Sequence, residues 1–314
     1  MNIVIVGLGN IGSYFYDYLR KNKDIIFNKT NIIPNVLFVS AKSFNKKRNF
    51  PLPKSIWLKN YLSATKNKNV DIIVELIGGA EGPAKKLVFE ALKNNKHVIT
   101  ANKALVSKYG DQLSQIAEKN NVNFEFEAAV CGGIPIIRTM KEGLIANNIN
   151  KIYGILNGTS NYILSSMDKD NLEYKDSLSN AKKLGFAESN PKSDINGDDV
   201  ASKLKILTAL AFNTYVNNKS ILVEGIQNID KADINNANFL GYKIKLVGVA
   251  EITKQKITQR VHPVLIKEKS YIAKINGVLN AVIIESSPVG KIVLQGKGAG
   301  PGPTTSSLVS DLCS

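Results

Sequence analysis

The chain has 314 residues, enough for two domains with sizeable cores, and 41 lysines and arginines against 26 carboxylates give it a formal charge of +15. Only Arg20, Arg48, Arg138 and Arg260 are arginine and the lysines are spread along the whole chain. That is a composition-wide lysine bias rather than a nucleic-acid-binding patch, and its positive field suits an anionic cofactor and substrate. No apolar run approaches the ~20 residues of a membrane span and no charged leader precedes the first apolar segment, so a cytoplasmic location is expected. Cys131 and Cys313 make no zinc-binding spacing with His97 and His262.

The chain opens on a continuous apolar run, Ile3 to Val6, that ends in Gly7-Leu8-Gly9-Asn10-Ile11-Gly12. A helical pattern follows through Tyr16 and Leu19. Strand, G-x-G-x-x-G and helix in that order are the context a dinucleotide site requires. Gly7 permits the tight turn, Gly9 the close approach of backbone to a pyrophosphate, and Gly12 the packing of helix on strand, with Asn10 and Ile11 in the first helical turn beside the cofactor.

The second strand, Asn35 to Ser40, should end where an acidic residue would grip the ribose 2′-hydroxyl of NAD. No Asp or Glu occurs from Ile25 to Val70, whereas Lys42, Lys46, Lys47 and Arg48 follow the strand. The expected cofactor is therefore NADP, with NAD possible, and Ser40 and Lys42 are placed at the adenosine end. The alternative is a solvated lysine-rich loop. A third strand is expected over Val70 to Ile77, then Gly78-Gly79, a helix from Pro83 to Lys93 and a strand over His97 to Thr100. Thr100 and Lys103 then lie at the carboxyl edge of a parallel sheet, where ligands bind. A lysine there is either a solvated loop residue or part of the site.

The alternating rhythm runs to about Glu127 and breaks at Ala128 to Pro135. The expected organisation is a Rossmann-type dinucleotide-binding domain over 1–130, an α+β substrate-binding and dimerisation domain on a mixed sheet over 131–295, and a segment 296–314 that returns to the first domain. Strands are expected over Lys151–Leu156, Ile221–Ile226, Tyr242–Ile252, Lys256–Ile266 and Val278–Glu285, with Lys254-Gln255 as a hairpin connection. Gly296 to Thr305 reads as a glycine-rich loop, and Thr304 as the cap of a last helix through Leu312.

The densest chemistry lies between Ile155 and Ala211. Glu188, Asp194, Asp198 and Asp199 stand against Lys203. If 198–212 is a helix, Val200, Leu204, Leu207 and Ala211 form its apolar stripe, Lys203 flanks that stripe, and Lys205 points away. Asp199 is four residues before Lys203 and shares its face. An ordinary surface ion pair accounts for the aspartates but not for a lysine beside the core, because desolvating an ammonium is unfavourable unless it is paired. A lysine so placed suits general acid chemistry.

Taken together, G-L-G-N-I-G at 7–12, A-N-K at 101–103, E-A-A-V-C-G-G-I-P at 127–135, N-G-T-S-N-Y-I-L at 157–164, D-I-N-G-D-D-V-A-S-K-L at 194–204 and G-K-G-A-G at 296–300 make the chain resemble the homoserine dehydrogenases over nearly its whole length. The resemblance implies NAD(P)-linked interconversion of L-aspartate 4-semialdehyde and L-homoserine, on the route to threonine, methionine and isoleucine, by a protein that is usually a homodimer. By position, Lys203 matches the proton donor, Lys103 the second lysine beside the substrate, and Asp199 the acidic partner of the catalytic lysine. Glu188 and Asp194 match the carboxylates that receive the substrate ammonium, and Gly158 and Thr159 the turn that meets its carboxylate. Glu127, Val130, Gly132 and Ile134 match a site for sodium or a similar cation, three of them through backbone carbonyls, and Gly300 a residue beside the nicotinamide. Two departures stand out. Ala104-Leu105 follows Lys103 where many relatives carry proline, and the chain stops at Ser314, so the regulatory domain of longer relatives, and feedback through it, is not expected.

Two other classes remain to be weighed. A thiol-dependent semialdehyde dehydrogenase would use Cys131 with His262, and a basic nucleic-acid-binding protein would keep only a Rossmann-like shell. Cys313 is either a free thiol or, in a twofold dimer, half of an intersubunit disulfide.

Overall fold

The computed structural model describes residues 1–215 and 221–314. They divide into two compact units, Met1–Gly133 with Gly300–Ser314, and Ile134–Ala299. Among the described residues no helix is long and apolar enough to cross a membrane.

In the first unit, β1 (Asn2–Val6), β2 (Asn35–Ser40), β3 (Ile72–Glu75), β4 (His97–Thr100) and β5 (Phe124–Glu125) pair in parallel in the order β2-β1-β3-β4-β5. A sheet covered on both faces needs strands that are apolar on both sides. Ile3, Val4 and Ile5 meet that requirement and are fully buried. The strand order reverses between β1 and β3, which puts the ligand crevice at their carboxyl ends. There Gly7 turns at φ +109°, and a Cβ on Gly12 would lie 1.9 Å from the Gly7 carbonyl oxygen. Only hydrogen fits, so the helix Asn10–Lys21 seats directly on the strand end.

The helix Pro301–Leu312 belongs to this unit, because Leu308 and Leu312 share the core of Ile3, Ile5, Phe15 and Leu19. Its boundaries differ from expectation in two ways. Gly296 and Lys297 are not loop but the end of a strand, Gly290–Lys297, paired with Asn280 and Leu279, which moves the return point from 296 to Gly300. Likewise the first unit runs to Gly133 rather than 130. Thr304 lies buried inside the helix, whose N-cap is Gly300 followed by proline, a residue whose missing N–H costs nothing in the first turn.

In the second unit, the described residues form a mixed sheet in the order β11-β10-β6-β8-β9-β7, from β6 (Asn148–Ile155), β7 (Ile221–Val223), β8 (Tyr242–Thr253), β9 (Lys256–Lys267), β10 (Leu279–Ser287) and β11 (Gly290–Lys297). All neighbours are antiparallel except β7 and β9. Lys254 and Gln255 join β8 to β9 with both φ values positive, 49° and 63°, which matches the strand twist although neither is glycine or asparagine. The helix Asp198–Phe212 packs on β6 and β8. Its buried surface is wider than one stripe, since Ala201, Ile206 and Thr208 are buried along with Val200, Leu204 and Leu207.

Candidate active site

The site of the second unit is assembled where β6 ends. After Leu156 the chain turns at Asn157, whose extended backbone and side-chain oxygen cap the helix Gly158–Lys169 by accepting from Ser160 N at 2.7 Å. The same side chain donates its amide hydrogens to Asp194 Oδ1 at 2.8 Å and Asp199 Oδ2 at 2.9 Å. Lys203, 8% exposed, pairs with Asp199 Oδ2 at 2.8 Å and donates to the Leu156 carbonyl at 2.6 Å. Asn280 Nδ2 donates to that same carbonyl at 2.9 Å.

A buried ammonium here has a carboxylate and a carbonyl, the pairing that offsets its desolvation. Burial raises the Asp194 pKa above the usual carboxylate range, and the nearby Asp199 charge adds to the rise. Thr159 donates to the Phe186 carbonyl at 2.7 Å and so ties the following loop to the helix start. Lys203, Asp199, Asp194, Gly158 and Thr159 are thus gathered around Asn157. Glu188 is exposed and, among the described residues, makes no ion pair or hydrogen bond.

In the first unit, the helix Asn10–Lys21 begins at Gly9 with no side-chain cap, which leaves first-turn N–H groups to face an anion. Ser40 is committed to the fold: its carbonyl accepts from Gly7 N at 2.8 Å and its hydroxyl donates to the Leu58 carbonyl at 2.8 Å. Lys42 is exposed. Arg48 is a brace rather than an open cation, since it donates to the carbonyls of Ser43, Phe44 and Lys46 and lies over Trp57.

At the other edge of the crevice, Glu75 is fully buried at the end of β3 and accepts from Thr100 Oγ1 at 2.6 Å, Ile77 N at 2.7 Å and Gly78 N at 3.0 Å. Thr100 Oγ1 accepts in turn from Asn102 N at 3.0 Å, and Asn102 caps the helix Lys103–Lys119 by accepting from Leu105 N. Lys103 is the first residue of that helix. Gly300, at φ +109°, is the N-cap of the C-terminal helix.

The proposed cation ligands have an all-oxygen donor set. Glu127 is buried and opens a 3-10 turn through Ala129, and its N–H donates to Asp311 Oδ2 at 3.1 Å. Val130 is fully buried, the Gly132 carbonyl already accepts from Ser307 Oγ at 2.6 Å, and the Ile134 carbonyl accepts from Ile136 N at 2.7 Å. Each carbonyl keeps a second lone pair. No group of three His, Cys, Asp or Glu among the described residues is placed to hold a metal.

The sequence alone assigns no role to Asn157, Glu75 or Asn280. The first had a readable signal, an asparagine between a strand and a helix. The other two act through contacts far apart in sequence.

A doubly wound parallel sheet with a glycine-rich turn at its switch point, accompanied by a unit that sets a buried lysine among carboxylates, defines a nicotinamide-dependent dehydrogenase. Residues 7–127 match the NAD-binding-domain model of homoserine dehydrogenase and residues 135–313 match the homoserine dehydrogenase model. The chain is 43% identical to the homoserine dehydrogenase of Neisseria gonorrhoeae and 41% to that of Helicobacter pylori, over 99% of its own length and 71% and 73% of theirs. The crystal structure of the Thiobacillus denitrificans homoserine dehydrogenase superposes with a TM-score of 0.94 at 40% identity, covering 100% of this chain and 72% of that one. A hyperthermophilic archaeal homoserine dehydrogenase in complex with NADPH superposes at 0.80 with 25% identity, over 99% of this chain and 96% of that one. The chain belongs to the homoserine dehydrogenase family: it is an oxidoreductase acting on a CH–OH group with NAD(P), and interconverts L-aspartate 4-semialdehyde and L-homoserine. The thiol-dependent and nucleic-acid-binding alternatives give way to this reading; Cys131 is 1% exposed, in the core of the first unit.

Proposed function

We propose that this homoserine dehydrogenase prefers NADP and that Lys203 is its general acid. The observation that carries the assignment is the burial of Lys203 against Asp199 and the Leu156 carbonyl, which fixes one ammonium proton donor beside two carboxylates. Bound nicotinamide supplies the hydride in the reducing direction. Negative charge then develops on the aldehyde oxygen, where Lys203 stabilises it and delivers the proton, with Lys103 as a second cation. Asp194 and Glu188 receive the substrate ammonium, and the N–H groups of Gly158 and Thr159, at a helix start, suit its carboxylate.

Gly7, Gly9, Asn10, Ile11 and Gly12 hold the pyrophosphate, Ser40 and Lys42 frame the adenosine end, and Thr100, Lys103 and Gly300 lie toward the nicotinamide. The preference for NADP rests on the carboxylate-free stretch 25–70 and its lysines. Homoserine-dependent appearance of reduced cofactor, followed with NADP and NAD side by side, tests it: faster turnover with NADP at equal concentration is expected, and faster turnover with NAD overturns it.

Three further assignments rest on the resemblance. A monovalent cation at Glu127, Val130, Gly132 and Ile134 predicts that replacing sodium with a bulky organic cation lowers the melting temperature. A homodimer predicts twice the 34.3 kDa chain mass in sedimentation. Cys313, half-buried and in no disulfide within the chain, bridges two subunits only if oxidised protein runs as a dimer on non-reducing gels and Cys313→Ser does not. A cytoplasmic location follows from the reading, since the nucleotide and amino-acid pools it draws on are there.

A further inference from the structure

β8 carries a buried charge that the reaction does not use. Lys245 is 3% exposed, and the three N–H groups of its ammonium lie within hydrogen-bond distance of four neutral oxygens: the Ile275 carbonyl at 2.7 Å, Asn276 Oδ1 at 2.8 Å, Asn161 Oδ1 at 3.1 Å and, the longest, Ser165 Oγ at 3.4 Å. Among the described residues no carboxylate lies within ion-pair distance of it. An ammonium surrounded by uncharged dipoles is expensive to bury, and a methionine of similar length would fill the same volume without that penalty. What the charge adds is a junction of three chain segments, β8, the helix Gly158–Lys169 and the loop at 275–276.

That junction lies directly under the catalytic turn. Asn161 is one helical turn beyond Asn157, and its backbone N–H donates to the Asn157 carbonyl at 3.3 Å. Its side chain joins the ammonium to the loop, with Oδ1 accepting from Lys245 and Nδ2 donating to the carbonyls of Ile275 and Leu279, each at 3.1 Å. The contact has no slack at the helix start, because a Cβ on Gly158 would lie 2.8 Å from the Val278 carbonyl oxygen. Where the 275–279 segment holds this first turn therefore decides where the Asn157 amide meets Asp194 and Asp199.

We propose that Lys245 is a positioning residue whose ammonium clamps the first turn of the helix Gly158–Lys169 to the 275–279 segment, and so sets Asn157 against Asp194 and Asp199. This rests on the site assignment under Proposed function. The charged groups around the clamp are few. The same helix contributes Asp168, β8 itself contributes Lys243, and these two pair with each other at 2.9 Å. β9 places the apolar Val264 opposite Lys245, the helix Lys231–Phe239 contributes the neutral Asn238, bonded to Asp168, and Lys274 on the turn Ile272–Lys274 is exposed. Burial pushes the Lys245 pKa down to about 8, the charge of Asp168 acting against that fall and that of Lys243 adding to it. The clamp loosens as the ammonium loses its proton in mildly alkaline solution.

The test is Lys245→Met, with wild type alongside, read by homoserine kinetics, NADP titration and amide hydrogen exchange. The expected result is a roughly tenfold to hundredfold fall in kcat with NADP affinity unchanged, as for a small misplacement of catalytic groups. An alkaline limb near pH 8 in the wild-type kcat profile should vanish in the variant. Exchange should quicken at residues 157–161 while the helix Asp198–Phe212 stays protected. Wild-type kinetics and unchanged exchange at 157–161 overturn the clamp. If the wild type itself does not oxidise homoserine, the functional reading fails, and exchange alone still decides the clamp. Should Lys245→Met fail to fold, Asn161→Ala carries the same measurements, and wild-type behaviour there overturns the proposal.

Discussion

Asn157 donates both amide hydrogens to carboxylates, to Asp194 at 2.8 Å and to Asp199 at 2.9 Å, while its oxygen caps a helix. One neutral side chain therefore holds two acids that would repel each other and fixes the helix start beside them. Asn157→Asp separates the two tasks, since aspartate caps as well as asparagine but brings a third acid where two donors stood. We expect it to lower kcat/KM for homoserine more than Asn157→Ala does, whereas the alanine variant should additionally lose about 1 kcal/mol of capping stability. Urea unfolding and steady-state kinetics on both variants check this; equal kinetic losses would show that the acids do not depend on the bridge.

Lys203 and Asp199 form a nearly buried ion pair, with side chains 10% and 6% exposed. Removing one partner strands the other, at a cost of about 3–5 kcal/mol, reduced here because Asp199 keeps the Asn157 bond. Lys203→Met should thus destabilise the chain and lower turnover by roughly 10²–10⁴. Adding Asp199→Asn should restore most of the stability and none of the turnover. Recovery of turnover in the double variant would remove Lys203 from the chemistry.

The raised pKa of Asp194 sets the sign of a pH effect. The folded state holds this proton more tightly than the unfolded chain, so the contribution is full below the ordinary aspartate pKa and is lost as pH rises through the higher folded value. Asp194→Asn should accordingly stabilise the protein at neutral pH, and the gain should shrink to nothing in acid. In kinetics the direction is opposite, because only the carboxylate pairs with an ammonium. Wild-type kcat/KM for homoserine should fall as Asp194 becomes protonated, and the asparagine variant should be low and flat across that range. A variant retaining the wild-type acid limb would assign it to another group.

Glu75 is predicted to matter although it stands behind the residues placed at the cofactor. Its two oxygens accept from Thr100 and from two backbone N–H groups of the turn after β3. Glu75→Gln keeps one acceptor oxygen for the turn but faces Thr100 with an amide, and we expect weaker NADP binding and lower kcat with homoserine KM little changed. Glu75→Leu strands all three donors and should cost about 1–3 kcal/mol for each one left buried. Fluorescence titration of NADP and thermal melting separate the two outcomes, and wild-type NADP affinity in both variants would refute the role.

The features legible in the sequence are those that neighbouring residues determine among themselves. The turn at Gly7 to Gly12 needs its glycines within six residues, the helix Asp198–Phe212 announces itself by its apolar spacing, and Asp199 reaches Lys203 simply because they are four apart on that helix. The short helix Lys23–Thr30 and the strand β11 escaped because one buries only Ile26 and the other alternates half-buried with exposed positions, which leaves little periodic contrast to read. The pairing of Asn157 with Asp194 and Asp199, of Lys203 with the Leu156 carbonyl, of Glu75 with Thr100 and of Lys245 with Asn161 was decided by tertiary structure alone. Each joins residues at least 25 positions apart, so no local period encodes it, and each becomes favourable only after sheet and helices have closed around polar groups that burial then obliges to find one another.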